Sequence, residues 1–155
     1  MPYACRVHIQ EGRELKGVDD GGMSDPFVLV TCWYAQQIHC WRDAMACFSP
    51  TAGACSGQKQ ETTKFEKCSS AVFDKMMMFN LDTLSPKQFQ TGVIKIEAFD
   101  YNAFSDDILI GAFEFGTGNV NMQPGHEYHN VWIGLINPVM GFDMQGYLKV
   151  RKTPT

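Results

Sequence analysis

Apolar and polar residues alternate cleanly at the start of the chain. Tyr3, Cys5, Val7 and Ile9 fall on one face, and Ala4, Arg6, His8 and Gln10 on the other. A period of two predicts a strand with one buried face. Gly12, Gly17, Asp19, Asp20, Gly21 and Gly22 then crowd into a predicted loop. Pro26 opens a continuous apolar run from Phe27 to Trp33, as expected of a strand buried at the centre of a layered fold. Lys59 to Phe65 is a weaker strand. Lys75 to Leu81 sets Met77, Phe79 and Leu81 on one face. Gly92 to Asp100 does the same with Ile94, Ile96 and Ala98, and Asp100 keeps that parity where the strand leaves the core. Leu109 to Phe115, Asn130 to Leu135 and Gly146 to Arg151 complete eight strands. With no long helix among them, the pattern predicts an all-β, eight-stranded antiparallel β-sandwich.

Residues 34–58 break the rhythm. They read as a long inserted loop, with a short helix expected over Gln36–Ala46. Loops of this length are usually functional or mobile. With Trp33, Tyr34, Trp41 and Phe48, this one is a candidate contact surface for a protein partner. His39, Cys40, Cys47 and Cys55 lie within it, but their spacing lacks the close pairs of structural zinc sites.

Composition narrows the picture. The 155 residues suit one domain, expected over residues 1–152. A net charge of −4 gives no global pull toward nucleic acid. Attraction to an acidic membrane must come from a local patch or a bound cation. No apolar run is long enough to span a bilayer, and the N-terminus lacks a signal-peptide pattern. None of the six cysteines forms a C-x-x-C pair, so free thiols in a reducing compartment are expected. No phosphate-binding loop, nucleophile elbow or triad appears. His126-Glu127-Tyr128-His129 is one residue short of the metalloprotease spacing. A catalytic role has no residue support, and the chain is expected not to be an enzyme.

The candidate chemistry lies in two acidic loops. Asp19 and Asp25 flank Gly21-Gly22-Met23-Ser24. Far along the chain a second loop reads Asp100-Tyr101-Asn102-Ala103-Phe104-Ser105-Asp106-Asp107. Calcium takes six to eight oxygens at about 2.3–2.6 Å, and carboxylates and amide oxygens supply them. Asp19, Asp25, Asp100, Asn102 and one of Asp106 or Asp107 are the candidate ligands. Two carboxylates about 4 Å apart repel by about 1 kcal/mol in water and about 4 kcal/mol near a protein surface, strain that a cation relieves.

These residues carry a resemblance. Leu15-x3-Asp19-x-Gly21-Gly22-x-Ser24-Asp25-Pro26-Phe27-Val28 resembles the first calcium loop of a C2 domain, and Phe99-Asp100-Tyr101-Asn102 through Ile110-Gly111 resembles the third. Gln123-Pro124-Gly125-His126-Glu127-Tyr128-His129, Trp132-x-x-Leu135 with Asn137-Pro138, and Gly146-Tyr147-Leu148-Lys149-Val150 are similar to an early, second-position type of C2 domain in the ferlins. The opening from Cys5 to Gly17 fits the same module. Asn102 stands where calcium-binding C2 domains usually carry aspartate. Counted without gaps, Ile108 falls at the last ligand position, with Asp106 and Asp107 just before it.

The resemblance implies an eight-stranded C2 sandwich of type II order that binds phospholipid, often with calcium. It implies a fragment of a multi-C2 protein of the ferlin kind, anchored in a membrane and acting in vesicle fusion and membrane trafficking. The domain would then sit on the cytoplasmic side, peripheral on an anionic membrane. Phe104 falls at the loop tip where such domains place an inserting residue, with Met23 and Tyr101 as nearby candidates. Lys59, Lys64, Lys67 and Lys75 are candidates for a headgroup-binding strip on one sheet. The alternative is a calcium-independent protein–protein interaction module.

Overall fold

The computed structural model describes residues 4–17, 23–35, 55–81, 84–141 and 143–154. The strands are β1 (Ala4–Arg13), β2 (Pro26–Ala35), β3 (Cys55–Glu61), β4 (Ala71–Asn80), β5 (Val93–Asp100), β6 (Ile108–Gly116), β7 (Tyr128–Ile136) and β8 (Met144–Pro154). Their order is β3-β2-β5-β6-β7-β8-β1-β4, and every pairing is antiparallel. β6 and β7 share only the pair Ala112 and Ile136, whereas the other neighbours form extended ladders. That thin seam divides the strands into two four-stranded layers.

The core lies between the layers. Val28 and Val30 of β2 and Ile94 and Ile96 of β5 join one buried cluster with Val7 and Ile9 of β1, Met77 and Phe79 of β4, and Leu148 and Val150 of β8. The alternation in β1, β4 and β5 thus marks the buried face as expected. Burying each large apolar side chain contributes about 1.5–3 kcal/mol, so the sandwich is held chiefly by this contact between layers. β8 lies beside β1, so the last strand closes on the first.

Opposite the seam, β3 and β4 are the edge strands. The Gln58 and Gln60 side chains of β3 donate to the carbonyls of Asn80 and Met78 in β4. Unpaired edges invite association with other strands, and these amides occupy part of one.

Three differences from the sequence expectation have physical causes. The region expected as an insertion at 34–58 is strand at both ends. Trp33 pairs with Gly57, Tyr34 with Ser56 and Ala35 with Cys55, which narrows the connection to 36–54. The helix expected over Gln36–Ala46 lies outside the described residues. β3 also ends at Glu61 rather than Phe65, although Thr62 and Phe65 still donate to Val28 and Pro26. Ser56, Gly57 and the glutamines have weak strand propensity, so the pairing comes from β2. Finally, two short helices enter: α1 (Pro86–Thr91) and α2 (Thr117–Asn121). Ser85 and Gln88 form a capping box at α1, and Phe89 and Val120 carry the helices onto the core.

Candidate membrane-docking rim

Antiparallel order sends alternate connections to the same end of the sandwich. Residues 14–17, 23–25, 62–70, 101–107, 137–141 and 143 all lie at the end where β1, β3, β5 and β7 finish. The two acidic segments therefore meet. Pro26 pairs with Asp100 at the ends of β2 and β5. The Asp25 N–H donates to Asp100 Oδ1 at 2.8 Å, and the Tyr101 N–H donates to the Asp25 carbonyl at 2.9 Å. Asp100 is only 3% exposed, so its inward parity carries a carboxylate into the base of the rim. The Lys67 N–H donates to Asp25 Oδ1 at 2.8 Å, tying in segment 62–70. Ser24 bridges to Cys68 in the same segment. Burial, and then the Asp25 charge, push the Cys68 thiol above its ordinary range.

The second acidic loop braces itself. The Asn102 N–H donates to Asp107 Oδ1 at 3.0 Å, and the Phe104 N–H donates to Asn102 Oδ1 at 3.1 Å. Asp107 folds back across the loop, while Asp106 is exposed beside it. Phe104 is 100% exposed at the tip, and Met23 and Tyr101 are part-exposed nearby. Lys64 Nζ sits 4.1 Å from the Tyr101 ring centroid and 5.4 Å from that of Phe27, which stacks on Phe99 at 5.7 Å. A lysine on the aromatic floor of an acidic rim places a built-in cation there.

Not every candidate gathers. Asp19 lies outside the described residues. The four lysines do not form a strip on one sheet. Lys64 and Lys67 are on the rim, Lys59 is on β3, and Lys75 is on β4 in the other layer. Lys59 and Lys75 therefore lie in different layers, although the β3 and β4 edges touch through Gln58 and Gln60.

The donors near the rim are carboxylate and amide oxygens, the chemistry that suits calcium. Asp25, Asp100 and Asp107 each accept a backbone N–H on one oxygen. Among the described residues, however, no three His, Cys, Asp or Glu side chains form a group able to hold one metal ion. The donor type fits calcium, but the described carboxylates do not by themselves gather into a site.

One rim element carries no acidic signature and escaped the sequence reading. Between β7 and β8, Pro138–Met140 forms a single 3-10 turn. Val139 is 92% exposed and Met140 is also exposed. The available signal was a pair of apolar residues bracketed by Asn137-Pro138 and Gly141, with no strand parity to bury them.

The C2 domain family profile matches residues 3–133, and the chain belongs to that family. C2 domains are binding modules. Its curated relatives include ferlins. Ferlin 2 of Tetrahymena thermophila is 30% identical over 91 residues, covering 59% of this chain and 5% of that protein. Human myoferlin is 26% identical over 89 residues, covering 57% of this chain and 4% of that protein. The chain thus matches only a small fraction of each ferlin's length. Among solved structures, a C2 domain of plant extended synaptotagmin 1 superposes with a TM-score of 0.69 at 17% identity, covering 100% of this chain and 96% of that one. Human GIVD cytosolic phospholipase A2 gives 0.65 at 17% identity, covering 99% of this chain and only 16% of that enzyme. At these identities the superpositions establish the C2 fold alone. No described helix is long and apolar enough to cross a membrane.

Proposed function

We propose that this C2 domain docks on an anionic phospholipid membrane through its loop rim. It would do so as one module of a ferlin-like multi-C2 protein, peripheral on the cytoplasmic side, in vesicle fusion and membrane trafficking. The supporting observation is Phe104, fully exposed on a loop fixed by the Asn102 and Asp107 hydrogen bonds. An ordered loop that presents an aromatic ring to solvent loses little further freedom on insertion. Burying such a ring is worth about 1.5–3 kcal/mol. Lys64 and Lys67 lie behind the tip, where headgroup phosphates would sit.

Asp25 and Asp100 are the residues that would hold a calcium ion, joined by Asp19, Asn102, Asp106 and Asp107. Bound there, the ion would supply positive charge against lipid phosphate. The rim lysines already supply part of that charge, so calcium would tune docking rather than license it.

Co-sedimentation with vesicles of phosphatidylcholine and phosphatidylserine tests the reading. We expect binding in chelator, a gain with calcium, and loss in Phe104→Asp. No binding to either vesicle composition, with calcium or with chelator, would end the membrane assignment for this domain.

A further inference from the structure

We propose that the β7–β8 corner is a second membrane-docking element, with Val139 and Met140 entering the lipid and Arg13, Trp132 and Lys149 meeting the headgroups. This rests on the membrane reading above and adds a loop outside the two acidic segments.

The corner is fastened to the rim. Asn137 Nδ2 donates to the Leu109 carbonyl at 2.9 Å, just past the acidic loop at the start of β6. Asn137 Oδ1 accepts the Val139 N–H at 3.1 Å, which sets the turn. Gly141 leaves it at φ 91, a left-handed conformation that favours glycine. Two apolar side chains are thus held in water by an ordered turn. Exposed Ile108 and Met144 flank them.

The face behind the turn has the opposite chemistry. Trp132 of β7 pairs with Lys149 of β8, and Arg13 of β1 pairs with Tyr147 of β8. Arg13 Cζ lies 5.1 Å from the Trp132 ring centroid and Lys149 Nζ lies 5.9 Å from it. Trp132 remains 40% exposed under both cations. This aromatic–cation cluster is about 13 Å behind the end of β7, the length of four strand residues. Apolar tips ahead of a tryptophan flanked by cations reproduce the layering of a bilayer surface, acyl chains first and anionic headgroups behind. Glu11 stands among these groups: its Oε1 lies 3.5 Å from Arg13 Nη2 and it pairs with Lys149 across β1 and β8, so two cations outnumber one carboxylate. The tips project from a turn, a shape suited to entering a fluid surface.

The test uses vesicles of phosphatidylcholine with and without phosphatidylserine, in chelator, with the whole domain. The double variant Val139→Asp/Met140→Asp should bind serine-containing vesicles about tenfold or more weakly than wild type. Arg13→Glu/Lys149→Glu should lose about tenfold on those vesicles and little on phosphatidylcholine alone. Unchanged binding of the aspartate pair, while Phe104→Asp loses binding, overturns the second element and spares the membrane reading. Wild type that binds no vesicle overturns both. Val139→Trp gives an independent readout. Quenching by acyl-brominated lipid beyond that of wild type supports insertion, and no added quenching overturns it.

Discussion

Two sides of one rim present apolar residues in different ways. The β2–β5 side is a network of carboxylates. Asp100 is buried beneath Asp25, Asp25 ties down Lys67, and Asp107 braces Asn102 below Phe104. The β7–β8 side has one organising amide, Asn137, under Val139 and Met140. Charge builds the first side, and its carboxylates are the groups that a bound cation would meet. A neutral amide builds the second, which presents the same apolar tips whatever the ionic conditions. On the proposed membrane reading, a rim with both halves would keep a constant grip on lipid and have a tunable one beside it.

The largest effect should come from the buried end of the acidic network. Asp100→Ala strips the Asp25 N–H of its acceptor at the base of the rim. Leaving that part-buried donor unsatisfied costs about 1–2 kcal/mol, the lower part of the range for a fully buried one. Asp100→Asn keeps an acceptor and removes one of two neighbouring negative charges, so it should be near neutral. Urea unfolding should therefore show a clear fall in midpoint for alanine and almost none for asparagine. Equal falls would mean that the charge, rather than the hydrogen bond, holds the loop. Val139→Ser, on the other side of the rim, should stay within about 0.5 kcal/mol of wild type.

The next effect tests the neutral side. Asn137→Ala removes one bond to the Leu109 carbonyl and one from the Val139 N–H. Typical net values of about 1 kcal/mol each predict a loss of about 1–2 kcal/mol. Hydrogen exchange should quicken in 137–141 and leave 101–107 unchanged. Vesicle binding should weaken several-fold even though both apolar side chains remain. Unaltered exchange in 137–141 would show that Pro138 and Gly141 suffice to hold the turn.

The same contrast explains what the chain reveals unaided. Period-two burial marked β1, β4 and β5 because each faces the core on one side. Asp100 keeps the strand's inward parity and is buried, although the sequence placed it where the strand leaves the core. β3 was displaced because Ser56-Gly57-Gln58-Lys59-Gln60 carries no apolar alternation, and its ladder is dictated by β2. The capping box of α1 was legible as Ser85 with Gln88 but too short to stand out. Asp25 drew notice because it follows a Gly-Gly loop, and Asp100 because it opens a loop rich in Asp and Asn. Lys64 on Tyr101, and Arg13 with Lys149 on Trp132, gave no such signal. Those pairs form across strands and loops, and no sequence spacing links them.

Lys64 gives the smallest effect and the sharpest one. Its Nζ sits over Tyr101, whose N–H is bonded to the Asp25 carbonyl, so its charge stands close to the acidic network. Replacing it with methionine keeps much of the stem on the ring and removes the charge. An exposed cation–π contact is worth only about 0.5–1 kcal/mol, so stability should change by less than that. The two binding readouts should move in opposite directions. Without the lysine, a divalent cation meets less repulsion, and calorimetric titration should show calcium affinity rising a few-fold at low salt. Binding to phosphatidylserine vesicles in chelator should fall by a similar factor, because one contact cation near the headgroups is gone. If both readouts fall together, Lys64 holds the shape of the rim. If they diverge, the lysine and calcium compete for the same carboxylates, and the domain carries its own partial substitute for the metal.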